Sequence, residues 1–271
     1  MRSPEPAKHK QLRSALRAIK NHVEGLEAHE LDYSQLATHR INVSPMELDE
    51  TGKSSARPTF FEPCPAHLLM VPDDEYDRKS VKYQAFKSVN PIFRRPIDCA
   101  RNMISYYSYF CFGCAIHSEN YILDGLWSGL SLIAAPFEDL FEHNEPEFGT
   151  PELVEAKRGR ESPHMKAMIY NNLDGNENKL LRGEVVIALR VINGQMRRSR
   201  FFEHSTVPVL LFSFLGPQHA RLIEAYFDGS SVVMRPTRLF DLREKDETLI
   251  RTFAQWFLGE PTGETRVLRG P

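Results

Sequence analysis

Apolar residues recur at helical spacing near the start of the chain. Leu12, Leu16, Ile19, Val23 and Leu26 are separated by four, three, four and three residues, which places them on one stripe of a helix. The pattern predicts an amphipathic helix within residues 8–28. Since it has fewer than three heptads, two interpretations stay open: it packs on its own domain, or it docks a protein partner or a second copy.

The region after this helix has little apolar content and many turn-forming residues. Breakers occur at positions 44–45, 51–52, 54–55 and 63–65. We therefore predict an N-terminal helical arm and linker over residues 1–58, followed by an α/β domain over residues 59–271.

The hydrophobic pattern of the main domain mixes strand and helix periods. The predicted strands are 66–71, 152–158, 207–215, 221–227 and 231–234, with a hairpin turn at 228–229. The predicted helices are 77–88, 118–135, one that opens at Ser162 and Pro163, 180–196 and 247–258. The aromatic segment 96–112 fits a helix or a strand. The predicted fold class is α/β, with a mixed sheet flanked by helices.

Composition and charge place the chain among ordinary globular proteins. Hydrophobic residues make up 41% of the chain, and the formal net charge is −2, so no bulk basicity indicates nucleic-acid binding. The longest uncharged stretches, 102–118 and 204–220, are too short and too polar to span a bilayer. With four cysteines and no expected secretory signal, we predict an intracellular protein, cytoplasmic or nuclear, without membrane contact.

A carboxylate and an ammonium group stand two residues apart on the predicted strand 152–158. Glu155 and Lys157 project from the same strand face. A carboxylate can ligate Mg²⁺, and an ammonium can position a water or offset charge developing on a phosphate. Such a site needs a second acid, for which Asp139, in the acidic segment 138–152, is our candidate. The alternative is a charged pair on an exposed strand face.

Glu155-x-Lys157 on a strand, followed by a helix and another strand, resembles the third motif of the PD-(D/E)XK nuclease-like superfamily, whose core is αβββαβ. The resemblance implies a Mg²⁺-dependent phosphodiesterase or nuclease-like domain, in which Glu155 and Asp139 hold the metal and Lys157 is the catalytic lysine. Members usually carry an acid after a proline on the preceding strand, and no such strand is predicted here; Glu119 or Asp124 would stand for a helical acid. The arginines placed to contact the phosphates of a nucleic acid are Arg158, Arg160, Arg197, Arg198 and Arg200.

A second resemblance covers most of the chain after the linker. Segments 155–160, 168–172, 182–184, 207–218 and 224–229 resemble a group of uncharacterised filamentous-fungal proteins. Such proteins are often accessory. This resemblance favours the alternative function, a non-catalytic accessory or interaction protein on the same α/β scaffold, with residues 8–28 as its docking element.

Cys111 and Cys114 form a C-x-x-C pair. Two thiolates at this spacing can chelate Zn²⁺, with Cys99 or Cys64 as a further ligand, or cycle as a dithiol. The alternative is a pair of buried core cysteines. No phosphate-binding glycine motif and no nucleophile elbow occurs in the sequence, so nothing points to a nucleotide cofactor or to serine hydrolysis.

Overall fold

The computed structural model describes residues 4–49, 54–72, 81–118, 126–132, 135–141, 146–157 and 162–266. The α-helices in these residues are α1 (Ala7–Glu24), α2 (Tyr33–Thr38), α3 (Pro96–His117), α4 (Arg182–Met196) and α5 (Glu247–Leu258). The strands are β1 (Glu30–Asp32), β2 (Ile41–Val43), β3 (Trp127–Gly129), β4 (Phe148–Ala156), β5 (Met165–Asp174), β6 (Lys179–Leu181), β7 (Val209–Gly216), β8 (His219–Phe227), β9 (Val232–Pro236) and β10 (Phe240–Asp241). None of these helices is long and apolar enough to cross a bilayer.

One mixed sheet organises the described chain. Its strand order is β2-β9-β8-β7-β5-β4-β3, and β10 pairs with β8 beside this path. The pairs β5–β7 and β2–β9 are parallel, and the others are antiparallel. β1 and β6 form a separate two-stranded ribbon. The fold class is therefore mixed α/β, as predicted.

Strand β7 shows why the sheet is covered on both faces. All eight of its residues are buried. Val209 and Leu211 enter the core beneath α1 and α4, whereas Leu210 and Phe212 enter the core beneath α3 and α5. Because strand side chains alternate between faces, an almost wholly apolar run fits a strand with helices on both sides. The predictions for strands 207–215 and 221–227, the hairpin at 228–229 and the helix 247–258 are confirmed.

The N-terminal helix packs on the rest of the molecule. Leu16, Ile19 and Val23 are at most 3% exposed and belong to the same core as the inner face of α4. Glu24, in the last turn of α1, pairs with Arg190 of α4 at 2.8 Å. Strand β2 then joins the sheet edge beside β9. The apolar stripe predicted for residues 8–28 is thus occupied within the chain, and the helix and β2 of the predicted arm share the core of the α/β domain.

The aromatic segment 96–112 belongs to helix α3, which resolves its ambiguity. Pro96 stands in the first turn, where the missing N–H costs nothing. Tyr107 packs on Phe212 and Phe214 of β7, with ring centroids 5.8 and 5.5 Å apart. Helix α3 therefore contributes to the core on the same side of the sheet as α5.

Besides the helix expected at Ser162 and Pro163, three predicted elements differ from the structure. Residues 66–71 are turn and coil rather than a strand. Within the predicted helix 77–88, residues 77–80 lie outside the described part, and the rest contains only the 3₁₀ turn Phe86–Ser88. Of the predicted helix 118–135, residues 119–125 and 133–134 lie outside the described part, and Trp127–Gly129 is strand β3.

The helix predicted to open at Ser162 and Pro163 is wrong, because strand β5 begins at Met165. Its first seven residues are buried on both faces, with Lys166 among them. Ser162 and Pro163 are residue types typical of a helix start, at the N-cap and the first helical position. Here the pairing with β4 and β7 on either side overrides that local preference.

The described elements α3, β3, β4, β5, α4 and β7 follow one another in the order αβββαβ, with the short β6 inserted before α4. This order is compatible with the nuclease-like core that the sequence resembles. In this order Glu155 lies on the second strand of the core and not on the expected third strand, because β4 is followed by another strand and not by a helix.

Because α1 packs in the core, shortening one of its buried side chains should lower the free energy of unfolding. We expect Leu16→Ala to lower the free energy of unfolding by about 2–5 kcal/mol, because it opens a cavity at a fully buried position. Chemical denaturation measures this change. The exposed Arg17→Ala on the same helix is the control and should change the free energy by less than about 0.5 kcal/mol. Equal, small effects of both substitutions would contradict the packing of α1.

Candidate functional site

Glu155 lies near the end of β4 and is bound by two arginines. Its side chain faces the same core as Leu153, and only 6% of the residue is exposed. The carboxylate accepts hydrogen bonds from the guanidinium groups of Arg198 and Arg200, which follow the end of α4. Two cationic side chains therefore share this one carboxylate.

Neighbouring groups fix the positions of these arginines. Gln195, in the last turn of α4, accepts a hydrogen bond from Arg198 Nη1 at 2.9 Å and donates one to the Pro163 carbonyl at 3.3 Å. The Arg200 guanidinium also lies over the Phe201 ring, 4.4 Å from its centroid. We call Glu155, Gln195, Arg198 and Arg200 the Glu155 clamp, and it ties the end of α4 to the end of β4.

The structure gives the following surroundings for the other residues expected beside Glu155. Lys157 is half-buried just after β4, and its backbone N–H donates to the Leu126 carbonyl at 2.9 Å. Asp139 lies in the 3₁₀ segment 138–141, where its main-chain oxygen accepts a bond from Arg190 Nη1 at 2.5 Å. Arg197 is exposed. The residues expected at this site that lie outside the described part are Arg158, Arg160, Glu119 and Asp124.

No group of three or more His, Cys, Asp or Glu side chains in the described ranges is arranged to hold a metal ion. Cys111 and Cys114, proposed as Zn²⁺ ligands, lie buried in α3 with free thiols. Burial raises the pKa of Cys114 to about 12 and that of Cys111 well above its ordinary value. The thiolate, which binds metals and attacks disulfides, is therefore disfavoured at both positions.

Lys166 on β5 is a charged group that the sequence analysis missed. The residue is fully buried, and its Nζ donates to the carbonyls of Trp256, Phe257 and Gly259 at 2.8–2.9 Å. The same nitrogen lies 3.9 Å from the centroid of the Trp127 ring. Burial lowers the pKa of Lys166, but three donated hydrogen bonds require the protonated form. The ammonium thus caps the carboxyl end of α5, where unpaired carbonyls attract a cation.

His164, two residues before Lys166, is held neutral. It is 3% exposed; Nε2–H donates to the Thr262 carbonyl at 2.8 Å, and Nδ1 accepts from Ser162 Oγ. Burial lowers its pKa to about 4. The sequence signal for this segment is the pair Ser162 and Pro163, which stand just before β5 and which the sequence analysis interprets as a helix start.

Removing the Lys166 ammonium should destabilise the fold. We expect Lys166→Met to lower the free energy of unfolding by about 3 kcal/mol, because the Trp256 and Phe257 carbonyls lose this donor and the Gly259 carbonyl keeps only the Trp127 indole N–H. Thermal or chemical denaturation measures the loss. Lys157→Met, the same change at a half-buried position after β4, should stay within about 0.5 kcal/mol. A tolerated Lys166→Met would contradict the capping role.

Neutral His164 predicts a pH dependence of stability. Its pKa in the folded state is about 4, below the ordinary 6.5, so the unfolded chain binds more protons between these values. Stability from this group is complete above pH 6.5 and declines as pH falls toward 4, by up to about 3 kcal/mol. Unfolding free energies from pH 7 to pH 4 should fall less steeply in His164→Gln than in the parent protein. Parallel profiles would refute the assignment.

No protein-family model, no curated protein and no solved structure matches this chain.

Proposed function

We propose that this protein is a non-catalytic interaction protein built on an α/β scaffold with a nuclease-like order of elements. The observation that carries the proposal is the Glu155 clamp: the carboxylate expected to hold Mg²⁺ accepts hydrogen bonds from Arg198 and Arg200 instead. The carboxylate then acts as a structural anion that orders the chain after α4.

The charge balance of the clamp opposes a divalent cation. Two guanidinium groups and one carboxylate give a local formal charge of +1, and a Mg²⁺ ion bound there would contact two like charges. Mg²⁺ also prefers several oxygen ligands and several retained waters. Both arginines would have to leave an almost buried acid, which forfeits charge-assisted hydrogen bonds of about 1.5–3 kcal/mol each.

Lys166 on β5 also has a structural role. All three Nζ donors of Lys166 bind carbonyls at the end of α5, and the side chain is inaccessible to solvent. An ammonium that assists hydrolysis has to reach a water or a phosphate oxygen. The geometry of Lys166 therefore favours a supporting role over a catalytic one.

A Mg²⁺-dependent phosphodiesterase is the second candidate, and Pro151-Glu152 is the observation that favours it. With β5 as the third strand of the resembled core, Glu152 follows a proline on the strand before, as the resemblance expects of an acid. Glu152 accepts a hydrogen bond from Ser108 Oγ at 2.6 Å, and burial raises its pKa. Burial disfavours the ionised form that binds Mg²⁺, and Ser108 already occupies one carboxylate oxygen, so this candidate ranks second.

Titration with Mg²⁺ separates the two candidates. For the non-catalytic protein we expect no heat of Mg²⁺ binding in calorimetry, no Mg²⁺-dependent rise in Tm, and no cleavage of single- or double-stranded DNA or RNA. We also expect Glu155→Gln to lower the free energy of unfolding by about 2 kcal/mol with or without Mg²⁺, because two arginines lose their anion.

Glu147→Gln is the matched control. Glu147 pairs with Arg101 at the protein surface, so its substitution should cost less than about 1 kcal/mol. Cleavage that requires Mg²⁺ and disappears in Glu155→Gln or Glu152→Gln, while Glu147→Gln retains it, would overturn the proposal in favour of the phosphodiesterase.

A further inference from the structure

Two imidazole rings meet where helices α1 and α2 end. His22 lies in the last turn of α1, and His39 is the residue that directly follows α2. Nε2 of His22 lies 2.8 Å from Nδ1 of His39, and the two ring centroids are 4.8 Å apart. His22 is exposed and His39 is half-buried, so solvent reaches the rings. We call these two residues the His22–His39 pair.

The distance between the two ring nitrogens is close to the distance that a shared metal ion imposes. An imidazole nitrogen binds Zn²⁺ at about 2.0–2.1 Å. Two such bonds at an angle of roughly 90–110° place the nitrogens about 2.9–3.4 Å apart. The nitrogens of His22 and His39 have to separate by only about 0.6 Å or less from their 2.8 Å contact, and a rotation of exposed rings supplies this movement.

The ends of the two helices favour a cation at this position. The last carbonyls of a helix lack partners within the helix and carry partial negative charge. The ring of His22 stands in the last turn of α1, where this charge acts on it. A metal ion bound to the rings is therefore stabilised by the helix end, as a cationic side chain would be.

The ligand type selects the class of ion. Imidazole nitrogens suit Cu²⁺, Ni²⁺ and Zn²⁺, whereas Mg²⁺ and Ca²⁺ prefer oxygen ligands. In the part of the chain that the structure describes, no third His, Cys, Asp or Glu side chain completes a metal-binding group with this pair. Two protein ligands leave the remaining coordination positions to water.

We propose that the His22–His39 pair is a binding site for a first-row transition-metal ion, with two imidazoles and water as its ligands. The ion joins α1 to the end of α2, and β2, which follows α2, pairs with β9 at the sheet edge. Metal binding therefore ties the N-terminal helix to the chain that enters the sheet. The site goes beyond the proposed function and does not rest on it, because imidazoles are poor ligands for the Mg²⁺ that tests that function.

Calorimetric titration of the full chain with Cu²⁺, Ni²⁺ and Zn²⁺ tests the site. We expect Cu²⁺ to bind most tightly, and Tm to rise with metal concentration because the ion binds the folded state. His22→Gln and His39→Gln should each weaken binding by about tenfold or more, since one ligand then replaces a chelate. Electron paramagnetic resonance of bound Cu²⁺ should show coupling to two nitrogens in the parent protein and to one nitrogen in either variant.

His67→Gln is the matched control, because His67 is also exposed and lies outside the pair. This variant should keep the affinity and the two-nitrogen spectrum of the parent protein. Circular dichroism without metal should show all three variants folded, so that a lost ion is not a lost fold. Failure of the parent protein to bind any of the three ions, unchanged affinity in His22→Gln or His39→Gln, or an equal loss of affinity in His67→Gln would each overturn the proposal.

Discussion

A charged side chain can be buried in the core only where polar protein atoms replace the water that it loses. The described structure meets this constraint repeatedly. Glu184 and Arg221, both fully buried, bind each other, while Arg221 also donates to two main-chain carbonyls and Glu184 accepts from Ser213. Glu224 accepts from Arg235 and from the backbone of Thr59 and Phe60. Such pairs fix which segments of the chain meet.

The same constraint links the fold to its proposed function. Lys166 holds the end of α5 against β5, and the Glu155 clamp holds the end of α4 against β4. The nuclease-like resemblance of the sequence implied catalytic acids and lysines on such strands. Here Lys166 binds carbonyls at the end of α5, and Glu155 binds arginines just after α4. Both charges therefore hold helices on the sheet.

Much of this architecture could be predicted from the pattern of apolar residues. The run 207–215 has no charged residue, and the stripe from Leu12 to Leu26 has a clear helical period, so β7 and α1 were predictable. Strand β5 was not predictable, because Lys166 interrupts its apolar run. The hydrogen-bond partners of Lys166 lie about 90 residues further along the chain. The Glu155 clamp was invisible for the same reason. Arg198 and Arg200 look like phosphate contacts in the sequence, and only the fold brings them to a carboxylate 43 and 45 residues earlier.

A double-mutant cycle of Glu155→Gln and Arg198→Met tests the central claim most directly, because it measures the free energy that couples the two side chains. If the carboxylate is a structural anion, the coupling should stabilise the fold by about 1–3 kcal/mol in the absence of any metal, and added Mg²⁺ should leave it unchanged. A coupling near zero, or one that Mg²⁺ abolishes while raising the stability of the parent protein, would contradict the account.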